Sequence, residues 1–158
     1  MQPQHQKFMQ LAIELSKANV KYKLGGPFGA VITKNGHLIA QSANKVVPSN
    51  DPTAHAEIVA IRLACKVLNT YDLTGCTIYT SCEPCPMCLG AIYWAHIDTM
   101  YYANNKNDAA KIGFDDAFIY AEMDIKPEIR KLKSTRIMAK EAFEVFKLWQ
   151  TTEAKTHY

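Results

Sequence analysis

The fold of this chain is decided by one stretch, SCEPCPMC at residues 81–88, together with HAE at residues 55–57 upstream of it. A zinc ion that takes part in catalysis typically has three protein ligands and leaves the fourth position to water. His55, Cys85 and Cys88 are of the residue types that can supply those three ligands. The pattern therefore predicts one zinc ion per chain, held with an open coordination position.

Two helix starts would bring these ligands together. Prolines flank Cys85 on both sides, and proline is unfavourable inside a helix but favourable at its start, so a helix is predicted to begin close to Cys85. Cys85 and Cys88 then lie on one face of the first turn, at the positive end of the helix dipole, where thiolates are favoured. The segment 51–53 predicts the capped start of a second helix at His55. We expect both helix N-termini to point at one zinc ion.

Cys82 leaves a second interpretation open. The spacing Cys82-x-x-Cys85 is also typical of metal sites, so Cys82 can be read as the fourth ligand of a closed structural site. However, Cys82 precedes both prolines and is predicted to end a strand, away from the helix face that carries the other two thiols. A structural site would also leave Glu57 without a role. The open site is the preferred interpretation, with Cys82 as a buried residue that does not bind metal.

Composition and length set the class of protein. The chain has 158 residues, which is enough for one domain, and we expect that domain to span 1–158. Hydrophobic residues make up 48% and charged residues 21%, a balance typical of globular proteins, and the net charge of +3 does not by itself indicate nucleic-acid binding. The longest apolar run, residues 88–95, is too short to span a bilayer, and residues 1–6 lack the apolar core of a signal peptide. Free thiols for zinc favour the cytoplasm.

Hydrophobic periodicity and turn signals predict alternating helices and strands. Apolar residues at helical spacing predict a helix over roughly 5–20, and Asn35-Gly36 predicts a tight hairpin between two strands. This order predicts an α/β fold in which helices cover both faces of a sheet, with parallel neighbours after the first hairpin. The other predicted elements are helices at 55–69, 86–96 and 142–149, strands at 76–80, 99–103 and 133–138, and loops at 45–52 and 104–116.

Glu57 is the candidate acid and base of the site. A zinc ion bound by two thiolates and a neutral histidine carries no net charge, so it acidifies its water less than a three-histidine site would, and a base must help. The pattern H-x-E followed by P-C-x-x-C resembles that of zinc-dependent nucleobase deaminases, in which a glutamate that does not bind the metal transfers protons. The alternative is that Glu57 is a solvated carboxylate at a helix start.

Asp115 and Asp116 follow Gly113-Phe114 in a polar stretch. Among deamination substrates, guanine presents two adjacent donors, N1–H and the 2-amino group, which match the two acceptor oxygens of a carboxylate. Adenine and cytosine offer only an exocyclic amine donor there. Composition alone favours the other interpretation, in which both aspartates are solvated surface charges.

Four segments together resemble the bacterial guanine deaminases, which have the cytidine deaminase-like fold. They are GPFGAV at 26–31, DPTAHAE at 51–57, residues 80–95 and GFDDAFIY at 113–120. The zinc motifs are shared with cytidine, deoxycytidylate and tRNA adenosine deaminases, whereas the Gly-Phe-Asp-Asp segment and the terminal tyrosine single out guanine. The resemblance implies a three-layer α/β/α sandwich around a mixed five-stranded sheet. It also implies the zinc-dependent hydrolysis of guanine to xanthine and ammonia, in purine catabolism and salvage.

The resemblance further implies roles for individual residues. The implied zinc ligands are His55, Cys85 and Cys88, the implied catalytic residues are Glu57 and Asp116, and the implied substrate-binding residues are Asn44, Phe28, Ala56, Trp94 and Tyr158. Asn44 would anchor the base by hydrogen bonds, and Phe28 and Trp94 would form apolar walls. Tyr158 would come from the other subunit of a homodimer, because the family exchanges C-terminal segments, here about 128–158. Residues 131–140 look divergent, which weakens the implied exchange.

Two other functions remain as alternatives. A tRNA adenosine deaminase would need a basic surface for phosphates, and a modest basic cluster consists of Arg130, Lys131, Lys133 and Arg136. That cluster is better interpreted as a solvated surface, so no nucleic-acid partner and no membrane are expected. A non-catalytic zinc module is the alternative from another class, and Glu57 speaks against it.

Overall fold

A computed structural model gives the fold of the chain and describes residues 3–156. The chain forms two compact units, the first ending at Asp116 and the second beginning at Ala117. The first unit contains α1 (Pro3–Lys21), β1 (Gly29–Lys34), β2 (His37–Ala43), α2 (Val46–Ser49), α3 (Ala56–Leu68), β3 (Cys76–Cys82), α4 (Pro86–Trp94), β4 (Thr99–Asn104) and α5 (Lys106–Lys111). The second contains α6 (Ala117–Asp124), a 3₁₀ turn (Pro127–Ile129) and α7 (Ala139–Thr151).

The sheet of the first unit has the strand order β2-β1-β3-β4. β1 is antiparallel to both β2 and β3, whereas β3 and β4 are parallel. The hairpin prediction is confirmed, with Asn35 and Gly36 both at positive φ in the turn. The prediction of parallel neighbours after the hairpin is confirmed for β3 and β4 but wrong for β1 and β3. The connection through α3 passes over β1, so β3 runs parallel to β2 without lying beside it.

Helices cover both faces of this sheet. On one face, α1 packs Phe8 and Ala12 against Val31 and Tyr79. Gly29 permits this close approach, because a Cβ there would lie 2.2 Å from the Ala12 carbonyl oxygen. On the other face, side chains of α3 and α4 form the larger core with those of the sheet, and its buried members include Ala56, Ala60, Ala64, Ile92, Ile32 and Ile78. The three-layer α/β/α arrangement is therefore present.

The prediction of a five-stranded sheet is wrong for the residues that the structure describes, because the sheet has four strands. The predicted strand at 133–138 is irregular. Its own unit contains no strand in the described range, so the segment has no neighbour there with which to form ladder hydrogen bonds. The left-handed conformation of Met138 (φ 51°) also ends any extended run before α7.

Two predicted loops contain short helices. The segment 45–52 holds α2, and the segment 104–116 holds α5. α5 starts at a capping box in which Asn105 accepts from the backbone N–H of Asp108 while the Asp108 side chain accepts from that of Asn105. The helix α6 was not predicted either. These are helices of four to eight residues, too short to give a clear hydrophobic period.

The second unit leaves many large apolar side chains exposed. No residue of α6 or α7 is buried, within the part of the chain that the structure describes. The exposed set includes Phe118, Met123, Ile129, Leu132, Ile137, Phe143, Phe146 and Leu148. Over residues 3–156, no helix has the length and apolar character that crossing a membrane requires. The single domain over 1–158 stays a prediction.

Candidate active site

The N-termini of α3 and α4 meet at one place. His55 is the N-cap residue of α3 and Cys85 is the N-cap residue of α4, both with extended backbone. Neither side chain makes a capping hydrogen bond to its own helix. Each helix thus directs the positive end of its dipole and one ligand-type side chain toward the same point, as predicted.

Three side chains form a group with the geometry of a zinc site. His55 Nδ1 lies 3.5 Å from Cys85 Sγ and 3.5 Å from Cys88 Sγ. All three ligand atoms lie within 4.8 Å of one another. Zn–S and Zn–N bonds of the usual lengths in a tetrahedron separate sulfur from nitrogen by about 3.6 Å. The three residues therefore fit Zn²⁺ with one coordination position left for water.

Cys82 is not part of this group in the described part of the chain. It is the last residue of β3, as predicted, and its thiol donates to the Asn105 carbonyl oxygen at 3.7 Å. Burial raises the pKa of Cys82 to about 11, which favours the protonated thiol rather than the thiolate that binds metal. The geometry thus favours the open site over the closed four-ligand alternative.

The two ligand thiols differ in acidity. A hydrogen bond from Cys88, with a further contribution from His55, lowers the pKa of Cys85 to about 4. The same hydrogen bond, together with burial and the nearby Glu57 carboxylate, raises the pKa of Cys88. Because a thiol that coordinates zinc loses its proton, metal binding releases the proton that the two sulfurs share.

Glu57 is buried beside the ligand group. It lies in the first turn of α3, two residues after His55, and only 7% of it is exposed. Burial raises the pKa of its carboxyl group, and the Cys85 thiolate nearby acts in the same direction. This is not the solvated carboxylate of the alternative interpretation. A buried carboxyl group beside metal ligands is suited to take up and release protons.

The structure distinguishes the two neighbouring aspartates. Asp116 is half-buried, whereas Asp115 is exposed. Burial raises the pKa of Asp116, and the negative charge of Cys85 raises it further. The catalytic role of Asp116 stays a prediction.

Phe114 has no individual role in the sequence predictions, but it contacts the predicted substrate-binding residue Phe28. Its ring packs edge-to-face on Phe28, with centroids 4.9 Å apart and an interplanar angle of 89°. Phe28 immediately precedes β1, so this contact joins the start of the strand to the segment that carries Asp116. Phe114 belongs to the Gly-Phe-Asp-Asp segment, but nothing in the sequence predicts its contact with Phe28.

Asn44 and Ala56 hold fixed positions in the core. Asn44 directly follows β2 and is buried, its N–H donates to the Phe28 carbonyl at 3.0 Å, and its Oδ1 accepts from Val46 N–H at 3.2 Å. The methyl group of Ala56 is part of the hydrophobic core. A contact from Ala56 to a ligand would therefore involve its backbone at the start of α3.

Trp94 and Tyr158 are the two remaining residues with a predicted role in binding the substrate. Trp94 is the last residue of α4 and 70% exposed. It lies six residues beyond Cys88, which corresponds to about 9 Å of helix rise away from the ligand group. The predicted role of Trp94 at the site stays a prediction. Tyr158 lies outside the described residues, and its predicted role stays a prediction.

Comparison with known proteins gives the family. Residues 2–104 match the family described as the cytidine and deoxycytidylate deaminase zinc-binding region, and this span contains all three ligand-type residues. The chain belongs to the cytidine and deoxycytidylate deaminase family. Its sheet, its two helix N-termini and its zinc site are accordingly those of a cytidine deaminase-like fold.

Relatives within this deaminase family differ in how much of the chain they match. Guanine deaminase of Bacillus subtilis (strain 168) is 50% identical over 154 residues, which is 98% of this chain and 99% of that protein. Its X-ray structure has a TM-score of 0.94 over 98% of each chain. A tRNA-specific adenosine deaminase of Agrobacterium fabrum is 44% identical over 96 residues, 60% of this chain and 62% of that protein. A mutant protein in complex with 8-azaguanine has a TM-score of 0.66 and 40% identity, over 69% of this chain and 63% of that one.

Proposed function

We propose that the chain is a zinc-dependent guanine deaminase that converts guanine and water to xanthine and ammonia. The observation that carries this proposal is the likeness to a guanine deaminase over 98% of the chain, because it extends through the Gly-Phe-Asp-Asp segment at 113–116. The likeness to the tRNA-specific adenosine deaminase covers only 60% of the chain. The bound 8-azaguanine in a structural relative agrees with a purine base as substrate.

His55, Cys85 and Cys88 would hold the zinc ion. When bound, zinc supplies Lewis acidity that lowers the pKa of water at its open position. Glu57 takes a proton from the attacking water and gives it to the ring nitrogen beside the carbon that carries the amine. Glu57 then takes the proton of the hydroxyl group that has been added to this carbon and gives it to the amine. The carbon–nitrogen bond breaks, ammonia leaves and the carbon–oxygen bond becomes a carbonyl. The raised pKa of Glu57 suits a group that must be both base and acid at neutral pH.

Asp116 would act on the substrate amine. Its two oxygens can accept from the adjacent N1–H and 2-amino donors of guanine, and neither adenine nor cytosine offers that pair. Its half-buried position and its electrostatic interaction with Cys85 support this role. Asp115, by contrast, is exposed.

Asn44 and the aromatic pair Phe28–Phe114 would bind the purine. Asn44 is buried and held by its own backbone hydrogen bond to Phe28, so it can serve as an anchor with a fixed position. The edge-to-face pair provides apolar surface that excludes water from the reacting carbon. Ala56 would contact the base through its backbone atoms. Trp94 and Tyr158 would line the site in the arrangement that the family resemblance implies.

The protein is proposed to act as a cytoplasmic homodimer. Support for a dimer comes from α7, whose Phe143, Phe146 and Leu148 are each more than half exposed, since apolar surface of this size is normally covered by a partner. In the implied arrangement, segment 128–158 is exchanged and Tyr158 reaches the site of the other subunit. The cytoplasm is proposed because the cysteines are free and two of them must stay reduced to bind zinc.

A panel assay tests the proposal. Ammonia release is measured with guanine, adenine, cytosine, guanosine and a tRNA, and we expect guanine to be turned over far faster than the others. The alternative is a tRNA adenosine deaminase, favoured by the 44% identity over 96 residues. The basic cluster supports it little, because the guanidinium of Arg130 donates to the carbonyls of Ile125 and Met123 at 3.1 and 3.3 Å. Preferred turnover of adenine in tRNA would contradict the proposal.

A further inference from the structure

Asn19 is a buried amide that the proposed chemistry does not use. It lies in α1 and is 1% exposed. Its Nδ2 donates to the Gly26 carbonyl at 2.9 Å and to the Asn44 carbonyl at 3.0 Å. Only the NH₂ end of an amide can donate to two carbonyl oxygens, so these two contacts fix its orientation. The other end, Oδ1, is buried without a hydrogen-bond partner among the described residues.

A buried oxygen without a partner is unfavourable, and an apolar side chain of similar size would avoid it. An apolar residue at this position could not make the two hydrogen bonds that Asn19 donates. They join α1 to the segment at Gly26, seven residues along the chain, and to the segment at Asn44, 25 residues along the chain. Both segments carry proposed substrate contacts, because Asn44 is the anchor and Gly26 precedes Phe28 by two residues.

The residues around the two hydrogen bonds of Asn19 are closely packed. A Cβ on Gly25 would lie 3.1 Å from Asn19 Nδ2 and 3.2 Å from the Asn44 carbonyl oxygen. A Cβ on Gly26 would lie 3.2 Å from the Phe28 ring and 3.3 Å from the Phe114 ring. The two glycines therefore sit between the Asn19–Asn44 contact on one side and the aromatic pair on the other, and a shift at either is passed to its neighbours.

We propose that Asn19 is a positioning residue for the purine site. By holding the carbonyls of Gly26 and Asn44, it sets the place of the Asn44 anchor and of the Phe28–Phe114 wall relative to the sheet. The Gly26 carbonyl accepts a second hydrogen bond, from Phe28 N–H at 2.9 Å, so the same oxygen links Asn19 to the wall. This inference rests on the proposed deamination of guanine, because it assigns Asn19 to the binding of that base.

The test compares substitutions that keep the number and branching of the side-chain heavy atoms of Asn19. Asn19→Leu removes both donors, and Asn19→Asp directs carboxyl oxygens at the two carbonyls. In each, we expect the KM for guanine and the Kd for 8-azaguanine to rise about tenfold or more, while kcat changes less and zinc stays at one per chain. Gly25→Ala crowds the same contact from the other side and should also raise KM, which keeps the test available if an Asn19 variant does not fold.

Phe8→Leu is the matched control, since Phe8 is a buried residue of the same helix that packs on Tyr79, away from Gly26 and Asn44. It should lower the melting temperature and leave KM unchanged. Amide hydrogen exchange gives a second readout that needs no turnover. Exchange in Asn19→Leu should become faster at residues 24–28 and 44–46 than in Phe8→Leu.

The outcomes separate this inference from the proposed function. A wild-type chain that does not act on guanine contradicts the proposed function, and the exchange experiment still tests whether Asn19 holds the two segments. An active wild type with unchanged KM and Kd in Asn19→Leu overturns the inference alone. An equal rise of KM in Phe8→Leu overturns it as well, because any destabilisation of α1 would then have the same effect.

Discussion

His55 and Cys85 hold the same position in two helices. Each is the N-cap residue of its helix, and their ligand atoms Nδ1 and Sγ are 3.5 Å apart. Because a helix start fixes the backbone of its cap residue, the metal site is shaped by the packing of α3 and α4 rather than by a mobile loop. Cys88, within the first turn of α4, is placed by the same helix.

The first prediction concerns which cysteines bind zinc. We expect one zinc ion per chain in the wild type, and its loss in Cys85→Ser and Cys88→Ser, because a serine hydroxyl is a far weaker zinc ligand than a thiolate. Cys82→Ser should retain zinc, since Cys82 lies outside the ligand group and contacts the Asn105 carbonyl. Metal analysis of the purified variants measures this. A Cys82→Ser protein without zinc would favour the closed four-ligand site.

The second prediction concerns proton transfer. Glu57→Gln keeps the size of a buried side chain but cannot carry a proton. Guanine turnover should fall by about 10²–10⁴-fold or more, with zinc content and melting temperature close to wild type. Steady-state ammonia release measures the loss of turnover. Metal analysis and a melting curve of the same preparation measure the zinc content and the melting temperature. Near-normal turnover would remove Glu57 from the mechanism.

The third prediction compares the two neighbouring aspartates. Asp116→Asn should depress guanine turnover strongly, because an amide neither takes up the proton nor presents two acceptors to the N1–H and 2-amino donors. Asp115→Asn is the matched control, since Asp115 is adjacent but exposed. It should have a much smaller effect on kcat/KM. Equal losses in the two variants would contradict the role given to Asp116.

Local sequence signals were sufficient for the zinc site. Its ligands are decided by residue type and by helix starts, which prolines and capping residues mark. The neighbours of the site depend on longer-range packing. Asn19 donates hydrogen bonds to carbonyl groups seven and 25 residues away, and no pattern along the chain predicts these two contacts. The same holds for Phe28 and Phe114, whose edge-to-face packing joins distant segments.

The predicted strand at 133–138 failed for a related reason. A strand is stable only beside another strand, and the periodicity of one segment says nothing about its neighbour. Conversely, β3 was predicted correctly at its start and at its end, where Cys82 pairs with Asn104 of β4. The helix at α3 was clear from sequence because Ile58, Ile61, Cys65 and Leu68 repeat at helical spacing.

The fourth prediction tests the homodimer. Light scattering coupled to size exclusion should give twice the mass of one chain. Phe146→Lys places a charge in the apolar face of α7 and should shift the protein toward monomer or lower its solubility. Gln150→Lys adds the same charge to an exposed polar position of that helix and should leave the mass unchanged. A monomeric wild type would contradict the dimer and with it the implied exchange of segment 128–158.

The last prediction concerns the C-terminal residues 155–158, which end in Tyr158. Ends of this polar kind often make no contribution to function. A site that attacks a small base, however, must exclude bulk water, and an aromatic side chain with a polar tip is suited to cover it. The family resemblance implies that Tyr158 covers the site of the other subunit. Deletion of 155–158 should therefore lower guanine turnover sharply, while zinc content and dimer mass persist.

Mixed dimers test which subunit the tail serves. The truncated chain has an intact Glu57 but no Tyr158, and a Glu57→Gln chain has the tail but no proton carrier. If the tail crosses to the partner, unfolding and refolding the two chains together produces dimers in which one site has both groups, and turnover should reappear. Two inactive chains that stay inactive when refolded together would mean that each tail closes its own subunit. A truncated chain with full activity would mean that Tyr158 takes no part in turnover.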